Sequence, residues 1–193
     1  MYLFFDVETT GKPKKYNASY KDIDNWPRLV QLAFIVYDEN KNPVWEVDHI
    51  IKPDNYLIPE DSSRIHGITT ERALKEGIDL ETALGDFIKA LTMSTYLIAH
   101  NIKFDNTVIA SELYRNNIKL KLEKPKTKIC TMNESTNFCA IPSKWGFKWP
   151  KLSEVHIKLF GEDFEDAHNA LADIRATARC FWELVNKGVI KIK

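Results

Sequence analysis

The sequence predicts a single α/β domain built on a mixed sheet with helices on both faces. Three observations carry that reading. Apolar strand-like runs lead the chain, strand and helix patterns then alternate, and the length suits one core. At 193 residues the chain falls within the roughly 100–200 that one domain usually holds, so residues 1–193 are expected to form one unit. Apolar residues at 44% and charged residues at 28% match soluble globular averages and exclude disordered and collagenous classes. No repeat period or low-complexity tract points to a solenoid or propeller.

Residues 2–8 begin with four apolar side chains in succession, the pattern of a strand buried on both faces, and are expected to form the central strand. Residues 28–37 make a second apolar, β-branched run. Residues 44–52 alternate Trp45, Val47, His49 and Ile51 with Glu46 and Asp48, which reads as a half-exposed strand. The short polar link at 38–42 fits a hairpin between the two. After Pro53 the chain changes character, with Ser62 and Ser63 ahead of Ile65-His66-Gly67-Ile68-Thr69 and no element assigned.

From Leu80 to Met93 apolar residues fall at 80, 83, 84, 87, 88 and 91, the spacing of one helix face. Residues 96–99 form a short strand, and 105–116 a helix through Val108, Ile109 and Leu113. Residues 128–130 read as a short fifth strand and 132–138 as a weak helix, before a loop rich in Trp, Pro and Lys. Helices at 151–160 and 170–186 close the chain. The last has an apolar stripe at 171, 174, 178, 181 and 185, and Gly188 marks its end.

Several function classes drop out. The longest apolar run, residues 32–37, is far short of the ~20 residues that cross a bilayer, and no secretory pattern opens the sequence, so a cytoplasmic protein is expected. Cys130, Cys139 and Cys180 are odd in number and form no CxxC pair, which favours buried free thiols over zinc or redox exchange. Lys plus Arg equals Asp plus Glu, at 27 each, so any nucleic-acid binding must come from local patches.

Three constellations carry chemistry. In Asp6-Val7-Glu8-Thr9-Thr10-Gly11 the two acids are two apart on a strand and share a face. Carboxylates ~4 Å apart repel by about 4 kcal/mol at an effective dielectric of 20. A divalent cation removes that cost, and oxygen ligands favour magnesium or manganese over zinc. The alternative is a solvated strand-end acid capping the next turn. In His100-Asn101-Ile102-Lys103-Phe104-Asp105 the acid falls in a helix's first turn, at a strand's carboxyl end where α/β sheets bind ligands. The helix dipole favours Asp there regardless of function. In Asp166-Ala167-His168-Asn169-Ala170-Leu171-Ala172-Asp173 the last acid borders an apolar stripe and needs a partner. His168 would sit ~140° from Asp173 on a regular helix, so it is expected in the preceding loop or a fraying first turn.

The three motifs, DVETTG, HNIKFD and HNALAD, resemble in kind and order those of the DEDDh exonucleases of the DnaQ-like group, which takes in polymerase proofreading subunits, RNase T and oligoribonuclease. Trp26-Pro27-Arg28-Leu29-Val30-Gln31 and Ile58-Pro59 extend the likeness over about residues 1–187. The resemblance implies an RNase H-like fold with a five-stranded mixed sheet, its second strand antiparallel. It implies that Asp6, Glu8, Asp105 and Asp173 ligate two divalent cations, Mg2+ or Mn2+, and that His168 takes the proton of the attacking water. A His titrating near neutrality suits that task. It further implies that Thr9, Thr10 and Gly11 line the terminal-nucleotide pocket, that Ile65 and His66 wedge against the last base, and that His100, Asn101 and Phe104 border the substrate. For Phe104 a place in the core is the alternative.

The implied activity is 3'-5' hydrolysis of DNA, of the polymerase III epsilon kind in proofreading or repair, releasing nucleoside monophosphates from a free, single-stranded 3' end. An exoribonuclease of the RNase T or oligoribonuclease kind is the alternative. An inactive nucleic-acid-binding module and an unrelated α/β protein with incidental acids are the competing classes. A polymerase partner and a homodimer both stay open. Two patches could guide the strand: residues 12–16 follow the first motif, and residues 144–151 interleave cations with aromatics as single-strand binders do, although exposed lysines are often merely solvated.

Overall fold

The structure, a computed structural model, describes residues 1–118, 127–165 and 169–192. Five strands form the main sheet: β1 (Tyr2–Thr9), β2 (Leu29–Tyr37), β3 (Pro43–Ile50), β4 (Tyr96–Ala99) and β5 (Thr127–Cys130), in the order β3-β2-β1-β4-β5. β1 pairs in parallel with β4, and β4 with β5, while β2 runs antiparallel to β1 and β3. This is the expected mixed α/β sheet with one antiparallel strand, and β1 is its centre.

The helices are α1 (Glu60–His66), α2 (Thr70–Glu76), α3 (Leu80–Met93), α4 (Ile102–Arg115), α5 (Thr131–Cys139), α6 (Leu152–Phe160) and α7 (Ala170–Asn186). The period-two pleat divides the core into two layers. Leu3, Phe5 and Val7 of β1 pack with Leu84 and Phe87 of α3 and Val108 and Ile109 of α4. Phe4 turns the other way, with Ile35 and Ile98, onto Ile174, Ala178 and Phe181 of α7. Asp6 and Glu8 share the parity of Phe4 and so continue its row along the α7 side.

Three differences from the expected elements have physical causes. The helices α1 and α2 were not anticipated, because seven residues each show too little periodicity and their buried residues are only Ser62 and His66 in one and Ala73 in the other. Capping defines them instead: Gly67 ends α1 at φ 74°, and the Thr69 hydroxyl accepts the Arg72 N–H at 3.1 Å to start α2. The helix α4 begins three residues early, because Asn101 adopts a left-handed φ of 73° and reverses the chain in one step, a conformation Asn tolerates. In the expected Trp/Pro/Lys loop lies a small hairpin, β6 (Pro142–Ser143) with β7 (Gly146–Phe147). Among the described residues no helix is long and apolar enough to cross a membrane.

Candidate active site

β1 delivers two carboxylates to the end of the sheet. Its register with β2 shifts between Glu8 and Thr9, after which Thr9 still pairs with Leu29 and the Thr10 N–H meets the Arg28 carbonyl at 3.0 Å. α7 supplies the third. The Asn169 side chain accepts the Leu171 and Ala172 N–H groups, which fixes the helix start and puts Asp173 in its first turn, facing β1 through the packing of Ile174 and Phe181. One oxygen from each of Asp6, Glu8 and Asp173 lies within 4.8 Å of the others. Asp105, in the first turn of α4, is buried at 3% exposure and stands beside Asp6. The four expected acids therefore meet, three in a tight group and Asp105 flanking it. The expected proton acceptor, His168, lies outside the described residues.

The electrostatics reflect this crowding. Burial, then the charges of Asp105, Glu8 and Asp173, push the Asp6 carboxyl well above its ordinary range. Burial, then Asp173 and Asp105, push Glu8 up to about 8, and burial pushes Asp105 up to about 8 against the opposing pull of its own N–H and that of Val7. The Oδ2 of Asp105 is buried with no hydrogen-bond partner among the described residues. An orphaned buried oxygen next to three converging carboxylate oxygens fits a divalent cation of the hard, oxygen-preferring kind.

Around the acids, several groups expected to touch substrate also serve the fold. The Thr9 hydroxyl donates to the Gly11 carbonyl at 2.7 Å, and Thr10 Oγ1 accepts the Arg28 N–H at 2.9 Å. Gly11 has φ 143°, a conformation that side chains disfavour, and its N–H and carbonyl both meet the Thr9 hydroxyl. Ile65 is exposed, whereas His66 is buried. Nδ1 of His66 accepts the Ile68 N–H at 3.1 Å, so the ring proton of the neutral form sits on Nε2. That nitrogen is buried, faces the Thr9 backbone and has no well-aligned hydrogen bond among the described residues.

His100 is turned inward. Its Nε2 meets the Pro150 carbonyl at 3.0 Å and its Nδ1 the Thr131 hydroxyl at 3.0 Å. A carbonyl only accepts, so Nε2 carries the proton and Nδ1 accepts from Thr131. Both ring nitrogens thus bind the chain itself, tying residue 150 to the end of β4. Phe104 is half-buried against Trp26, with ring centroids 6.4 Å apart. With Asn101 and Trp26 it lines a cavity of about 380 Å³ whose other walls include Tyr16, Met132 and Trp149.

Sequence reasoning missed the groups that hold residues 12–26 in place. Glu112 of α4, 1% exposed, pairs with Arg28 at 2.9 Å and Arg115 at 2.7 Å and accepts the Leu29 N–H at 3.0 Å. Arg115 in turn donates to the carbonyls of Ile23 and Trp26 at 2.8 and 3.0 Å, and the Ser111 hydroxyl to Tyr20 at 2.9 Å. One helix thus carries Asp105 at its start and clamps the neighbouring segment at its end. Apart from Glu112 and Arg115, an i,i+3 pair on α4, these partners lie 83–92 positions apart, and no local pattern links them.

Comparison with known proteins follows the same lines. The RNase T family, described as exonuclease, matches residues 3–181. The 3'-5' exonuclease DinG of Bacillus subtilis is 27% identical over 187 residues, 96% of this chain and 18% of that protein. Escherichia coli exonuclease I in complex with a dT13 oligonucleotide superposes with a TM-score of 0.72 at 23% identity, over 96% of this chain and 40% of that one. A zinc-bound form of the E. coli enzyme with single-stranded DNA gives 0.73 at 23%, with the same coverage of both chains. The chain thus spans well under half the length of each of these proteins.

Proposed function

Because this chain belongs to the RNase T exonuclease family, we propose that residues 1–193 form one exonuclease domain that removes nucleotides from the 3' end of a single-stranded nucleic acid, DNA in the first instance. The observation that carries this reading is the convergence of Asp6, Glu8 and Asp173, with buried Asp105 beside them, at the carboxyl end of the central strand. The dT13 strand in the exonuclease I structure supports the choice of substrate.

Asp6, Glu8, Asp105 and Asp173 would hold two divalent cations, Mg2+ or Mn2+. Such ions, once bound, stabilise charge on the attacking and leaving oxygens of an in-line displacement. The zinc-bound exonuclease I structure supports a divalent site in this fold. His168 takes the proton of the attacking water. The new P–O bond forms as the bond to the neighbouring nucleotide's 3' oxygen breaks, giving a nucleoside monophosphate and, after protonation, a fresh 3' hydroxyl. Gly11 and His66 border the terminal-nucleotide pocket, and exposed Ile65 is its apolar contact. Thr9 and Thr10 shape that pocket, while Asn101 and Phe104 border it from α4.

The test is digestion of 5'-labelled single strands with Mg2+ or Mn2+. Wild type should give a ladder that shortens from the 3' end, and Asp6→Ala and His168→Ala should each abolish it. Equal digestion by wild type and both variants would end this assignment.

A further inference from the structure

Beside the acid cluster the surface turns aromatic. The cavity bounded by Tyr16, Trp26, Phe104, Met132 and Trp149 begins at the α4 turn that carries Asp105, and exposed Lys103 stands at it. Trp149, its outer wall, is 69% exposed. The chain reaches Trp149 through the β6–β7 hairpin, whose ladder continues past Phe147 by a bond from the Lys148 N–H to the Ile141 carbonyl at 3.0 Å. Phe147 and Trp149 lie two residues apart along this run. Trp145, at the hairpin turn, is 89% exposed and Phe147 50%. Three such rings within five residues are a concentration of apolar surface that marks a binding site more often than chance.

The hairpin is fixed at its base. Lys148 pairs with Glu154, which also accepts the Lys151 N–H at 2.7 Å, and His100 holds the Pro150 carbonyl. At the tip the Ser143 hydroxyl donates to the Gly146 carbonyl at 2.9 Å. Lys144 and Lys151 are exposed on either side of the rings, and the Lys144 ammonium lies 5.1 Å from the Trp145 ring centre. The surface is therefore aromatic and cationic, anchored at its base, and it joins through Trp149 the cavity that begins at the first turn of α4.

We infer that this hairpin is a stacking platform for single-stranded nucleic acid, which takes bases upstream of the terminal nucleotide on Trp149 and Trp145 while Lys144 and Lys151 meet the phosphates. The inference rests on the exonuclease reading and extends it to a second part of the binding surface. Aromatic rings accept any base face and lysines attract any phosphate, so the platform holds a strand without reading its sequence. A protein docked on the same rings would cover the mouth of the cavity that the strand has to enter.

The test compares a single strand of roughly 15 nucleotides, long enough to span such a site, with a dinucleotide. In Trp145→Ala the KM for the long strand should rise about tenfold, the loss of one stacked base, and the ratio of kcat/KM on the long strand to that on the dinucleotide should fall by the same factor. Trp145→Phe should restore most of it. In EDTA, oligonucleotide should quench wild-type tryptophan fluorescence, and less so in Trp145→Ala. An unchanged KM, or a loss shared equally by both substrates, overturns the platform while leaving the exonuclease standing. Wild type inert on both substrates overturns the exonuclease instead, and the EDTA titration then decides the platform alone: quenching supports it, and unchanged fluorescence assigns the face to some other partner.

Discussion

The carboxylates of Asp6 and Asp105 reach one site from two layers of the fold, one from the central strand and one from a helix on the opposite face to α7, and the Val7 N–H lies against both. After burial, Asp105 is the largest cause of the upward shift at Asp6. Burial and mutual repulsion thus outweigh the backbone N–H groups at both acids, and positive charge bound at the site would relieve that repulsion.

The first prediction concerns pH. Glu8 moves from 4.5 to about 8 and Asp105 from 3.8 to about 8, so the folded, metal-free chain binds more protons than the unfolded one between those values. Stability then falls as pH rises from about 4 through about 8, the reverse of an ion-paired carboxylate. Divalent cations replace those protons, so the gain in Tm on adding Mn2+ should be larger at pH 8 than at pH 5.5. Thermal scans in EDTA and in Mn2+ check this, and a metal-free Tm that climbs towards pH 8 contradicts it.

The second prediction separates stability from activity at Asp105. Asp105→Asn keeps the shape, removes one of the crowded charges and offers an amide where Oδ2 has no partner. In EDTA at pH 8 the variant should melt higher than wild type, while hydrolysis with Mg2+ should fall by about 100-fold or more, the scale on which outer or inner metal partners act. A variant that melts lower in EDTA and keeps its activity would show Asp105 to be structural.

The fold and the acid set were legible because their signals are local. The unbroken apolar start of β1, the two-residue spacing of Asp6 and Glu8, and the first-turn position of Asp173 each follow from a short stretch of chain. The left-handed Asn101, which starts α4 at Ile102, leaves no such trace, since Asn is common in ordinary loops. Neither does the Arg28–Glu112–Arg115 network, in which the i,i+3 pair of α4 meets Arg28 only after folding. His100 belongs to both cases: its motif places it near the site, yet its partners Thr131 and Pro150 come from later in the chain and turn it inward.

The third prediction follows from that network. Glu112 is buried between two guanidinium groups and caps the start of β2. Glu112→Leu leaves both cations without their counter-charge, a loss of roughly 3–5 kcal/mol, which for a chain of this size is on the order of 10 °C in Tm. The segment that Arg115 and Ser111 hold should loosen with it, so trypsin should cut faster at Lys14, Lys15 or Lys21. Unchanged cleavage there, with Tm lowered, would mean that the segment is held by its own contacts, such as Asn25 to the Lys15 backbone.

The last prediction concerns His100. Burial drives its pKa down to about 4, below the 6.5 of the unfolded chain, so its contribution to stability is fully present above pH 6.5 and is lost as pH falls towards 4. Imidazole NMR should find it neutral, protonated on Nε2, and without titration between pH 5.5 and 8. His100→Phe keeps the volume but leaves the Pro150 carbonyl without its partner, while the Thr131 hydroxyl still reaches the Ala99 carbonyl at 3.4 Å; the carbonyl left buried and unsatisfied costs about 1–3 kcal/mol. Because Pro150 follows Trp149, the same change should loosen the wall of the aromatic cavity and raise KM for a long strand more than it lowers kcat. A drop in kcat with KM unchanged would instead put His100 among the groups that act on the reacting phosphate.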